Sequence, residues 1–335
     1  MYSMNKKLSY VAAASLAGIV AVSVVYRNKS EPQVSTTPAH IDLPASITSG
    51  AEAYVNRMVR PYLSEFSTQS LRVNIPLEQK VVDRVGADAS KPIIYLIGQD
   101  HIPPSRILDS QTTMCQMEIY KMLFTLKQRG VNMIYREGSA NSIVPALPGV
   151  EPTERNLFAT LVIYGCTSAE IFGRLEPDAT VKSYFSNELK ARMDIASQDF
   201  PKEDTFNAKC RQGVPISQDE LRSWISILKT YDSIVAQHSF EAVHNPFVEN
   251  QGNNKSFAII TGKRHVFDIL QYARADRLSD VLSKYDIQAI MPEGRHTLDT
   301  IRDGISKRER FEGQLTRILE QMTAQGLRQA TINMR

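Results

Sequence analysis

Two histidines and two glutamates recur in this chain at matched positions. His101 closes the run Ile93-Ile-Tyr-Leu-Ile-Gly-Gln-Asp-His101 and His265 closes Phe257-Ala-Ile-Ile-Thr-Gly-Lys-Arg-His265, so each stands three residues past a glycine that follows a short apolar stretch. Glu137 and Glu293 each end a second apolar run, Val131-Asn-Met-Ile-Tyr-Arg-Glu-Gly138 and Ile287-Gln-Ala-Ile-Met-Pro-Glu-Gly294. Imidazole nitrogens with carboxylate oxygens make a donor set for Mn²⁺, Fe²⁺, Co²⁺ or Zn²⁺, and a carboxylate beside such an ion can act as a ligand or as a general base. A lone Gly-x-x-His carries little information, whereas a matched pair inside a repeat carries more. The blander role for either glutamate is an ion pair or a helix cap, since Arg136, Arg264 and Arg295 lie close in sequence. Glu176, in Leu-Glu-Pro, is a weaker candidate.

The elements that must position these residues follow from the spacing. Ile93 to Ile97 and Phe257 to Thr261 have the length and apolar character of strands buried on both faces, and Gly98 and Gly262 permit a tight exit toward a helix. This places His101 and His265 on loops above a sheet edge. A strand–helix–strand unit brings both strand ends to one edge of a parallel sheet, so each copy is expected to set its own His beside its own Glu. The fold class expected is α/β: a duplicated strand–helix–strand core with a mixed or parallel sheet flanked by helices. Repeat 1 covers about 91–138 and repeat 2 about 257–294, within a domain spanning 49–335.

Between the repeats lies a largely helical insertion, 139–256. Its clearest element is the stripe Leu221, Trp224, Ile225, Leu228, Tyr231, Ile234 and Val235, one face of an amphipathic helix that is better read as core packing than as a groove. Further helices are expected over 51–66, 186–196 and 305–322, and a strand over 179–184.

Composition sets outer bounds. With 42% hydrophobic and 22% charged residues, 39 Lys plus Arg against 36 Asp plus Glu, and no basic block, the chain reads as globular and nucleic acid is not an expected partner. At the N-terminus, Lys6 and Lys7 precede an uncharged stretch from Leu8 to Val25, followed by Arg27 and Lys29. That stretch is long enough for a transmembrane helix, read here as a single-pass signal anchor over 1–29 with the main domain on the extracytoplasmic side. A Pro- and Ser-containing linker, 30–48, follows. Cys115, Cys166 and Cys210 match no zinc or redox spacing.

Gly98-Gln-Asp-His101-Ile-Pro-Pro, Glu137 and the later Gly262-Lys-Arg-His265 resemble the Tiki/TraB clan, which also groups ChaN-like and erythromycin-esterase-like proteins. The clan has paired GX2H motifs and a glutamate on a duplicated α/β core, and it includes membrane-tethered metalloproteases. The triplets here depart from its usual pattern, with Gln-Asp and Lys-Arg between glycine and histidine.

The resemblance implies that His101 and His265 are metal ligands, with Glu137 as acidic ligand or base. The reaction it implies is hydrolysis of a peptide or protein signal by metal-activated water. Glu293 is the candidate second carboxylate, and Arg264 or Arg136 the candidate oxyanion stabiliser. Ser105 and Ser139 have loop or capping roles. No Gly-x-Ser-x-Gly elbow, His-Glu-x-x-His helix or Walker loop is present. The alternatives are a non-catalytic protein binding haem or a metal, with Tyr95, Tyr135 and Tyr164 lining a haem slot, or a tethered interaction domain without a cofactor.

Overall fold

A computed structural model describes residues 71–86, 88–100, 110–138, 167–294 and 296–332. The span at 8–25, the linker, the helix at 51–66, His101, Ser105, Ser139, Tyr164, Cys166 and Arg295 lie outside the described residues. Among the described residues no helix is long and apolar enough to cross a membrane.

In chain order the elements are β1 (Val81–Val85), β2 (Ile93–Gln99), α1 (Ser110–Gln128), β3 (Met133–Arg136), α2 (Ser168–Leu175), β4 (Thr180–Ser183), α3 (Asn187–Ala196) and α4 (Phe200–Gln212). There follow β5 (Ile216–Ser217), α5 (Gln218–Asn250), β6 (Phe257–Gly262), α6 (Lys263–Arg274), α7 (Ser279–Lys284), β7 (Asp286–Ile290), α8 (Leu298–Ala324) and β8 (Gln329–Ala330).

Six strands form one mixed sheet in the order β1-β7-β2-β6-β3-β4, parallel except for β1, which runs antiparallel to β7. The two strands richest in apolar residues, β2 and β6, pair at its centre with Ile94 opposite Phe257 and Gln99 opposite Gly262. Both are buried along nearly their whole length, as continuous apolar runs require.

The duplication is visible in this order. Exchanging repeat 1 (β2, β3) with repeat 2 (β6, β7) turns β7-β2-β6-β3 into its own reverse, a two-fold relation about a line running along the strands between β2 and β6. The two repeats therefore interleave, each crossing over the leading strand of the other. Because the crossovers run in opposite directions, their helices pack on opposite faces.

Strand alternation assigns the side chains to those faces. Tyr95, Ile97, Ala258, Ile260 and Ile134 pack with Tyr120 and Leu123 of α1 and Phe172 of α2. Ile94, Leu96, Phe257, Ile259 and Tyr135 pack with Val243 and Phe247 of α5 and Val266, Ile269 and Leu270 of α6. Each side chain of this size, fully buried, contributes about 1.5–3 kcal/mol.

The described part of the insertion, 167–256, is largely helical and also supplies β4 as an edge strand. Its stripe packs as core: Leu221 and Trp224 join Phe206 and Cys210 of α4 and Leu315 and Met322 of α8 in a third apolar cluster. Helix α5 is much longer than the stripe. It starts at a capping box formed by Ser217 and Glu220 and runs on through Pro246 to dock its second half on the sheet. Helix α8 also begins earlier than expected, because the Thr297 side chain accepts the Thr300 N–H and caps it there.

Gly98 lies within β2 and serves close packing, where a tight exit was expected. A Cβ there would meet Met291 Sδ at 2.4 Å and Lys263 Cγ at 2.9 Å.

Candidate metal centre

Alternation along β3 decides where Glu137 goes. Ile134 and Arg136 face α1 and α2, so Tyr135 and Glu137 face α5 and α6. The Glu137 N–H continues the ladder by donating to the Ile260 carbonyl at 3.1 Å. Its side chain turns toward β6, where Oε2 accepts the Gly262 N–H at 2.9 Å. Gly262 ends β6 and is also the N-cap of α6, so the carboxylate sits at the positive end of a helix.

His265 is the third residue of α6. It stands in the first helical turn and not on a loop, since the helix starts directly at Gly262 with no intervening residues. Helix α5, packed against α6, brings His238 to the same point.

The His238 and His265 rings lie 3.7 Å apart, inclined by 34°. His238 Nε2 is 3.6 Å from Glu137 Oε1. One ligand atom from each of Glu137, His238 and His265 lies within 4.8 Å of the other two. Donors about 2.0–2.2 Å from a shared tetrahedral ion lie about 3.3–3.6 Å from one another, and the 3.6 Å between His238 Nε2 and Glu137 Oε1 matches that separation. The three residues are 8%, 2% and 7% exposed. Two nitrogens and one oxygen, all buried, form a group that could hold a metal ion.

Hydrogen bonds surround the group. Tyr184, following β4, places its hydroxyl 2.8 Å from His238 Nε2 and 2.7 Å from Thr261 Oγ1. Burial pushes the Tyr184 phenol well above its ordinary value, with the nearby Glu137 charge acting in the same direction. The phenol therefore stays protonated. Behind His265, Nδ1 lies 2.8 Å from Ser239 Oγ. Asp268 stands beyond Ser239, its carboxyl pushed up by burial and pulled down by the Arg264 guanidinium.

Glu137 and His265 thus meet, but in a different pairing from the one expected. Each repeat was expected to set its own His beside its own Glu, yet β6 separates β2 from β3 and β2 separates β6 from β7. Glu137 of repeat 1 consequently meets His265 of repeat 2.

By the same relation Glu293 belongs to the opposite side of the central strand pair. It is 68% exposed in its side chain and ion-paired to Lys80 at 2.9 Å, outside the buried group. Glu293 is therefore not brought beside Glu137 and His265. His101 lies outside the described residues.

Arg264, one residue before His265, turns outward to Asp268 at 3.1 Å. Arg136 pairs with Glu170 at 3.1 Å on the opposite face of the sheet. Glu176 is tied to Arg72 and Lys127. Lys263, which with Arg264 fills the second Gly-x-x-His, turns to Asp100 at 3.1 Å. Tyr95 and Tyr135 belong to clusters on opposite faces and line no common slot for a haem.

His238 was missed in the sequence. The signal lay one turn before Ala242 and Val243, on the face those residues bury, where a polar pair interrupts the apolar periodicity. No protein-family model, curated protein or solved structure matches the chain.

Proposed function

We propose that this chain is a membrane-tethered hydrolase that uses a divalent metal held by Glu137, His238 and His265 to cleave a peptide or ester carbonyl. The observation that carries this reading is the convergence of the three buried side chains on one point. Two imidazoles and one glutamate are the ligand set of many catalytic zinc sites, and Mn²⁺, Co²⁺ and Fe²⁺ accept it too. When bound, such an ion polarises a carbonyl and lowers the pKa of water toward about 7.

Glu137 serves as a ligand in this reading and not as the base, because the Gly262 N–H already holds its second oxygen. Tyr184, protonated, orients the His238 ring through its hydroxyl, which also meets Thr261. His101 remains a further candidate ligand on the strength of its Gly-x-x-His. Glu293 takes no part, being ion-paired to Lys80 outside the buried group, and Arg264 turns to Asp268 instead of serving as the oxyanion stabiliser. Tethering and extracytoplasmic placement rest on the apolar stretch from Leu8 to Val25 and its basic flanks. The alternative of a haem-binding protein draws on His101 or His265 and gets no support from Tyr95 and Tyr135, which lie on opposite faces of the sheet.

The experiment is hydrolysis of a peptide library by the purified full chain, before and after chelation. The reading requires that chelation abolish cleavage, that Zn²⁺, Co²⁺ or Mn²⁺ restore it, and that His238→Ala and His265→Ala each prevent restoration. Cleavage that survives chelation and both substitutions would contradict it.

A further inference from the structure

Ser239 lies beside His238 on α5 and is completely buried. Its Oγ is 2.8 Å from His265 Nδ1, 2.9 Å from the Val235 carbonyl oxygen one turn back, and 3.4 Å from Asp268 Oδ2. A serine hydroxyl has one proton to give. The Val235 carbonyl accepts only, and so does an ionised Asp268, which Arg264 Nε holds through both oxygens at 3.2 and 3.1 Å. Donation of this proton to one of these two oxygens lets the hydroxyl make two hydrogen bonds, where donation to the ring nitrogen would leave it with one. Its oxygen is left to accept a hydrogen bond from the ring, which requires the proton of His265 to be on Nδ1. A neutral imidazole protonated at Nδ1 carries its lone pair on Nε2.

We infer that Ser239 is a positioning residue: it fixes the Nδ1–H tautomer of His265, making Nε2 the metal donor, with Asp268 and Arg264 orienting the hydroxyl from behind. Metal-bound histidines generally donate their other N–H to a fixed acceptor, and that acceptor sets ring orientation and affinity. The purpose assigned to the arrangement rests on the metal reading above. The tautomer itself is a property of the metal-free chain.

The test uses the full chain, labelled with ¹⁵N-histidine and stripped of metal, in long-range ¹H–¹⁵N correlation spectra, followed by Zn²⁺ titration. The wild type is expected to show His265 as the Nδ1–H form. Ser239→Ala is expected to lose that preference and to bind Zn²⁺ about 10–100-fold more weakly. An Nε2–H ring in the wild type overturns the inference and needs no variant to fold. An unchanged tautomer with unchanged Zn²⁺ affinity in Ser239→Ala overturns it as well. If the tautomer is as stated but the wild type binds no divalent metal, the metal reading falls while the role of Ser239 in fixing the ring stands.

Discussion

The imidazole of His238 rests against that of His265, ring centroids 3.7 Å apart, although one ring comes from the insertion and the other from the second repeat. Donors that serve one ion act as a unit, and their contributions are not additive. His238→Ala, His265→Ala and the double variant should therefore lose nearly equal amounts of Zn²⁺ affinity in isothermal titration. A double variant whose loss equals the sum of the single losses would place the two rings in separate sites.

The ends of the two central strands are locked by a second pair. Lys263 Nζ lies 3.1 Å from Asp100 Oδ2, with side chains 2% and 4% exposed. Gly294 makes room for the pair, since a Cβ there would meet Asp100 Oδ2 at 2.1 Å and Lys263 Nζ at 2.7 Å. Removing one partner of a buried ion pair typically costs about 3–5 kcal/mol. Lys263→Met should lose that much stability in urea denaturation, and Asp100→Leu combined with Lys263→Met should recover most of it. A single-variant loss below about 1 kcal/mol would show that the pair contributes little.

Tyr184 joins the site to the sheet through its hydroxyl, which meets His238 and Thr261 together. Tyr184→Phe keeps the ring and its edge contact with Phe185 but removes the group that both polar neighbours share. The expected cost is about 1–3 kcal/mol of stability, read by denaturant unfolding. A neutral result would reduce Tyr184 to a packing residue.

Asp232 gives the chain a pH dependence away from the site. Burial, with the Glu312 carboxylate as a smaller contribution, raises its carboxyl from 3.8 to about 6, against the attraction of Arg308. Between those values the folded chain keeps a proton that the unfolded chain has released. Stability contributed at this position therefore falls as pH rises from about 4 to about 6 and is level above that. Asp232→Asn should gain on the wild type across this window in unfolding measured at pH 4.5 and pH 7. A constant difference between the two proteins would mean that Asp232 titrates alike in both states.

The sequence made the strands of the core legible because β2 and β6 are unbroken apolar runs, and it made the duplication legible because the two runs end alike. Strand order was not legible. Nothing local in Ile93–Gln99 tells which strand lies beside it, so the pairing of Glu137 with His265 across repeats had to come from the sheet. Helix α5 was read only over its first half, where Leu221, Trp224, Ile225 and Leu228 repeat with helical period. Its second half buries His238, Ser239, Glu241 and Asn250 among Ala242, Val243 and Phe247, and those polar residues mask the same period. Two of the residues that broke the hydrophobic pattern, His238 and Ser239, belong to the site. The edge strand β1 escaped notice because it is short, and its burial alternates between half-buried and exposed with no continuous apolar run.

The most direct measurement is the metal content of the purified full chain, wild type against His238→Ala, by inductively coupled plasma mass spectrometry. The account predicts about one divalent transition metal per wild-type chain and near-complete loss in the variant, since a three-ligand site does not survive removal of one buried donor. A wild type that retains no metal after loading with Zn²⁺, Co²⁺, Mn²⁺ or Fe²⁺, or a His238→Ala variant that retains as much as the wild type, would contradict it.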